Sequence, residues 1–160
     1  MDISYYHIDA FTDRVFGGNP AGVCFLDTWV DDKILQSIAA QNNLLETAFL
    51  VRAGEHYELR WFSPMVEVDL CGHATLASAF AVFEYVDHEA SQVDFQTKSG
   101  RLSVRRQGEL LMMDFPARPP QTCQAPENIN EILGIPPKET LRARDLLAVY
   151  EEEEQIRRHS

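Results

Sequence analysis

The residues best suited to chemistry lie in two short segments. One is Asp69-Leu70-Cys71-Gly72-His73-Ala74-Thr75, at the head of an apolar run, and the other is Leu45-Glu46-Thr47-Ala48-Phe49-Leu50. If the run is a helix, its first turn presents unpaired N–H groups and a partial positive charge. Such an end beside a cleft suits a substrate carboxylate, and Gly72 lets a ligand come close to the backbone. His73 then either packs at the helix start or supplies a group that donates, accepts or holds a proton near neutral pH. Glu46 opens an apolar strand, where a carboxylate is either a solvated strand-end charge or a desolvated base with a raised pKa. Cys71 is either an activated thiolate at a helix N-terminus or a small buried hydrophobe.

The elements that must position these groups read clearly. Ile3 to Phe11 alternates as a strand, and Gly17-Gly18-Asn19-Pro20 breaks it, with Pro20 holding Asn19 extended. Gly22 to Leu26 is a second strand, with Cys24 in its core. A helix capped by Asp31 or Asp32 carries Ile34, Leu35, Ile38 and Ala39 on one face and ends near Gln41-Asn42-Asn43. Strands over Glu46 to Arg52 and Tyr57 to Phe62 follow, joined at Ala53-Gly54-Glu55-His56. Gly72 to Val86, GHATLASAFAVFEYV, is apolar on nearly every side through its middle, so it belongs inside something. Strands at Val93 to Thr97, Arg101 to Arg106 and Leu110 to Phe115 surround it, separated by tight turns. Beyond Pro116 a proline-rich connector holds the loop thiol Cys123. It leads to a short helix over Glu127 to Leu133 and a strand over Asp145 to Tyr150, and Glu151 to Glu154 is a solvated helix face or linker. The reading is α+β: a barrel-like, mostly antiparallel sheet wrapped around a buried central helix.

Composition narrows the function. With 160 residues, 45% of them hydrophobic, the chain is long enough for one compact domain. A formal net charge of −11 excludes nucleic acid as the expected partner, since phosphate contacts need clustered Lys and Arg. Leu76 to Phe83 is too short to span a bilayer, no basic-then-apolar leader is visible, and three scattered cysteines form neither a disulfide framework nor a zinc pattern. A reduced, cytoplasmic, soluble protein is expected. Asp9, Glu67 and Asp69 are too scattered to argue for a metal. No P-loop, dinucleotide fingerprint, HExxH or nucleophile elbow occurs, so no metal or cofactor is expected.

Several blocks resemble the PhzF-like phenazine-biosynthesis family, of the diaminopimelate epimerase-like fold. They are Tyr6-His7-Ile8-Asp9-Ala10-Phe11-Thr12 with Gly18-Asn19-Pro20-Ala21-Gly22-Val23, then Asn43-Leu44-Leu45-Glu46-Thr47-Ala48-Phe49, then Arg60-Trp61-Phe62-Ser63-Pro64. The most specific runs from Glu67 through Gly72-His73-Ala74-Thr75 to Ala77. The resemblance implies cofactor-free isomerisation of a small unsaturated or cyclic carboxylic acid. In that chemistry one carboxylate, matching Glu46, takes a proton from one carbon and returns it to another, and His73 steadies the developing charge. Gly72, Asn19 and Cys71 are the substrate-binding candidates. Related racemases of this fold use one cysteine from each of two lobes, and Cys71 precedes its glycine much as the first of them does. A cysteine-dependent racemase or epimerase is therefore the alternative, followed by a catalytically incomplete lobe that serves in binding or assembly. Family members carry a second lobe, so 1–150 is expected to be a single N-terminal lobe and 151–160 a linker or the start of the second. A lone lobe exposes apolar surface, which implies a homo-oligomer, most simply a dimer.

Overall fold

The computed structural model describes residues 2–158, which divide into two compact units between Phe115 and Pro116. They part at the proline-rich connector, upstream of the 150/151 boundary expected for a lobe of a longer protein. Of the tail expected over 151–160, residues 159 and 160 lie outside those described.

The first unit is a mixed, mostly antiparallel sheet. Its strands are β1 (Ser4–Ala10), β2 (Asn19–Leu26), β3 (Glu46–Ala53), β4 (His56–Phe62), β5 (Glu67–Val68), β6 (Gln92–Thr97), β7 (Gly100–Gln107) and β8 (Leu110–Asp114). They are ordered β1-β2-β3-β4-β6-β7-β8, with β5 paired to β4, and only β2–β3 and β4–β6 run parallel. Alternation along β2 and β3 splits their side chains between the two faces. Val23, Ala48 and Leu50 join one buried cluster, whereas Cys24 and Phe49 join another with Leu35 and Ala39 of helix α1 (Asp32–Asn42). Both faces of the central strands are therefore covered, as their near-continuous apolar sequence demands.

The larger cluster encloses helix α2 (Gly72–Ala81). Ala74, Thr75, Ser78, Ala79 and Ala81 are fully buried, and Trp61, Phe83, Phe95, Leu59 and Leu102 pack in the same core. Small residues on the helix face larger ones in this core, and each fully buried Leu or Phe contributes roughly 1.5–3 kcal/mol. The helix is not wholly apolar, because Thr75 and Ser78 are buried with it. Their hydroxyls donate to the carbonyls of Cys71 (2.5 Å) and Ala74 (2.7 Å), so neither is left unpaired.

The continuous helix expected over Gly72 to Val86 changes character at Val82, where Val82–Val86 forms a wider π-helical turn. Tertiary contacts hold that turn: Tyr85 stacks on Tyr6 at 4.5 Å, and Arg106 lies over Phe83 while donating to its carbonyl. β5 was not legible in the sequence, since it is a two-residue pairing with the end of β4.

In the second unit, β9 (Gln121–Thr122), β10 (Glu139–Arg142) and β11 (Leu146–Val149) form an antiparallel sheet in the order β11-β10-β9, with short helices α3 (Ile129–Leu133) and α4 (Glu153–Arg157). The acidic run expected to be a helix face or linker enters α4, which Glu152 and Gln155 cap reciprocally. Among the described residues no helix is long and apolar enough to cross a membrane.

Candidate functional site

Strand register brings the candidate residues to one end of the sheet. β1 and β2 pair with Ala10 opposite Asn19, β2 and β3 with Ala21 opposite Glu46, and β3 and β4 with Thr47 opposite Phe62. Glu46 therefore stands at the entry of β3, beside the start of β2. Helix α1 stops just before it because Asn43 adopts a left-handed conformation (φ 52°) and its N–H donates to the Ala39 carbonyl. Asn42 then ties the helix end to β3 by donating from Nδ2 to Thr47 Oγ1 at 3.2 Å.

Opposite Glu46 lies the N-terminus of α2. His73 Nε2 is 3.4 Å from Glu46 Oε2, and His73 Nδ1 is 3.5 Å from Cys71 Sγ. Burial differs across the three: His73 is 8% and Cys71 7% exposed, while the Glu46 side chain keeps 21% of its surface. Burial pulls the His73 pKa below the ordinary imidazole value, against the opposing effects of the Glu46 carboxylate and the Pro20 carbonyl. The imidazole is accordingly neutral at pH 7. Burial also pushes the Cys71 thiol up to about 12, reinforced by the nearby Glu46 charge and opposed by the Ala74 N–H. At neutral pH Cys71 is a thiol, not a thiolate, so its helix N-terminal position does not activate it.

The sequence-derived candidates thus separate. Glu46, Cys71 and His73 come together, with ligand-type atoms all within 4.8 Å of one another. Gly72 shares their turn, and a Cβ placed there would meet only Met113 Cε at 3.9 Å, so that face of the helix end is open. Asn19 is half-buried at the start of β2, next to the Pro20 carbonyl that faces His73. Glu67 is occupied elsewhere: Arg60 donates to both of its oxygens, at 2.7 and 2.9 Å. Asp9 faces His7 at 3.9 Å.

Two features of this end escaped the sequence. The Pro20 carbonyl is a backbone group and carries no residue signal. The other is an apolar rim in the loops at the same end: Phe11, Val15 and Phe16 before β2, Leu45 before Glu46, and Met65 and Val66 after β4. Phe16 is fully exposed, and both it and Phe11 hold left-handed backbones (φ 62° and 63°), a costly conformation for bulky residues.

Comparison with known proteins follows the same lines. Residues 8–144 match the family model described as PhzC-PhzF, phenazine biosynthesis-like protein. An uncharacterised isomerase of Pseudomonas aeruginosa is 51% identical over 156 residues, covering 98% of this chain and 60% of the relative. The crystal structure of a PhzF-family phenazine biosynthesis protein from Enterococcus faecalis superposes with a TM-score of 0.88 at 41% identity, covering 100% of this chain and 62% of that one. A predicted epimerase from Pseudomonas aeruginosa, 21% identical, shares the fold over 67% of this chain and 40% of its own, with a TM-score of 0.57. The chain therefore spans about 60% of the length of the first two.

The depressed His73 pKa has a measurable consequence. The unfolded chain takes up this proton near the ordinary pKa of about 6.5, before the folded chain does. Stability carried by neutral His73 is thus complete above that value and is lost as pH falls toward the lower folded value. Urea unfolding between pH 7.5 and 5.5 is expected to show a falling midpoint in the native chain and a smaller fall in His73→Gln. Equal falls in both would show that His73 is not buried as a neutral imidazole.

Proposed function

Because this chain belongs to the phenazine biosynthesis-like (PhzC-PhzF) family, we propose that it is the lobe bearing the acid–base residues of a cofactor-independent, cytoplasmic isomerase acting on small unsaturated or cyclic carboxylic acids. The observation that carries this reading is the Glu46 carboxylate 3.4 Å from the buried imidazole of His73 at the start of an enclosed helix. Glu46 takes the proton from one substrate carbon and returns it to another. His73, as a neutral donor, steadies the negative charge that develops between the two transfers. The N–H groups at Gly72 and His73 and the positive end of α2 receive the substrate carboxylate, with Asn19 at the mouth of the site. The name of the Pseudomonas aeruginosa relative, an isomerase, agrees with this chemistry.

A cysteine-dependent racemase is the second reading, favoured by the position of Cys71 inside the cluster. A thiol held up to about 12 stands against it, because proton abstraction at neutral pH needs a thiolate.

The test is hydrogen exchange at carbon. Incubated in D2O with a panel of small unsaturated cyclic acids, the protein is expected to wash deuterium into the substrate, read by NMR. Glu46→Gln should slow the exchange by about 10²- to 10⁴-fold with an unchanged circular dichroism spectrum. Undiminished exchange in that variant would remove Glu46 from the mechanism. Loss in Cys71→Ser alone would move the chemistry to the cysteine.

The apolar rim around the site belongs to the same reading. Its exposed side chains form the face against which a second copy of this chain packs, giving a homodimer. Sedimentation equilibrium is expected to report a dimer that Phe16→Asp combined with Met65→Asp converts to monomer. A native chain that sediments as a monomer would leave the rim without this role.

A further inference from the structure

Glu46, Cys71 and His73 offer one carboxylate oxygen, one sulfur and one imidazole nitrogen from just two elements, the entry of β3 and the start of α2. Their ligand atoms lie within 4.8 Å of one another, and no other group of three such residues occurs among those described. A second observation points the same way. His73 Nε2 is buried, on a residue only 8% exposed, and makes no hydrogen bond, although it faces Glu46 Oε2 at 3.4 Å. A buried polar atom without a partner calls for an explanation.

We propose that these three residues form a binding site for one borderline-soft divalent cation of the zinc class, and that the bound ion closes the site to proton transfer. Zinc holds oxygen, nitrogen and sulfur ligands at about 2.0–2.3 Å in tetrahedral array, which sets the donor atoms roughly 3.3–3.8 Å apart. A contraction of about 1 Å from the observed spacing completes that geometry. The mixed donor set selects zinc, cobalt or cadmium over magnesium and calcium, which require oxygen ligands. Three protein ligands leave a fourth position, and the exposed edge of Glu46 gives the ion an entry path. On binding, the Cys71 sulfur exchanges its proton, released to solvent, for a bond to the metal. Glu46 bonds through a carboxylate oxygen, and the charge of the ion lowers the basicity of the whole carboxylate, so it no longer takes a proton from a carbon acid. The occupancy rests on the geometry alone, whereas its effect on turnover rests on the isomerase reading.

Cobalt(II) is the first probe, because a thiolate-to-cobalt band reports sulfur ligation directly. Titrating the reduced, metal-free 160-residue chain with Co²⁺ is expected to give one equivalent bound, a strong near-ultraviolet charge-transfer band and the visible absorption of four-coordinate cobalt. Equimolar Zn²⁺ should discharge the colour, since zinc binds such sites more tightly. The charge-transfer band should vanish in Cys71→Ser and persist in Cys123→Ser. Glu46→Gln should weaken binding at least about tenfold, no less than the loss of an outer-shell partner costs. No band at millimolar Co²⁺, or a band that survives Cys71→Ser, overturns the proposal. If Cys71→Ser fails to fold, equilibrium dialysis of Zn²⁺ against His73→Gln decides, and undiminished binding there overturns the proposal as well. Zinc bound at this site with turnover unaffected would leave the site standing and overturn the placement of the reaction at Glu46.

Discussion

The enclosure of α2 is the constraint on which the first unit depends. A helix with Ala74, Thr75, Ser78, Ala79 and Ala81 all fully buried shows water little beyond Phe80, so strands must close around most of its circumference. Small helix residues let the strands approach, and Trp61, Leu50, Phe95, Leu102 and Val104 fill the space between. The two polar side chains in the middle of the helix are tolerated because each hydroxyl bonds back to the preceding turn. At the π-helical end Val82 and Phe83 stay buried, while the exposed Tyr85 stacks on Tyr6.

Enclosure also determines what happens at the N-terminal end of that helix. Burying the first turn of α2 carries His73 and Cys71 out of water, and desolvation lowers the imidazole pKa and raises the thiol pKa. Both groups are thereby held in their neutral forms beside a carboxylate that keeps partial contact with solvent. A neutral donor, a neutral thiol and a carboxylate at the positive end of a helix dipole make this cluster electrostatically asymmetric, the arrangement that the proposed proton transfer requires. The same proximity of oxygen, sulfur and nitrogen donors suits a soft cation, so proton and metal compete for one set of lone pairs.

Much of this was legible in the residues. The alternation of Ile3 to Phe11, a cap at Asp31 or Asp32, the GHATLASAFAVFEYV segment, apolar on nearly every side through its middle, and the glycine turns marked most elements of the first unit to within a residue or two. The cap is Asp31, and β2 begins at Asn19, three residues before the expected Gly22. Glu46 and His73 stood out by type and setting, and their adjacency follows from strand register, which no local pattern encodes. The elements that escaped were short or held by distant contacts. β5 and β9 are two-residue pairings, β10 follows a proline-rich stretch without alternation, and the π-helical turn answers to Tyr6 and Arg106, far away in sequence. The grouping of Cys71 with Glu46 and His73 was hidden for the same reason: the two segments lie 25 residues apart, from Glu46 to Cys71, and meet only across the end of the sheet. A search for metal ligands by spacing alone looks at Asp9, Glu67 and Asp69 and misses this trio.

The claim at the centre is that Glu46 and His73 form one electrostatically coupled pair inside a desolvated site. The most direct measurement is an NMR titration of the His73 ring nitrogens in the native chain and in Glu46→Gln. In the native chain the carboxylate raises the His73 pKa while burial, the larger effect, lowers it. Coupling predicts a native value below about 6.5 and a further fall when the charge at position 46 is removed. A His73 that titrates as an ordinary exposed imidazole, or whose pKa is indifferent to Glu46→Gln, would contradict it.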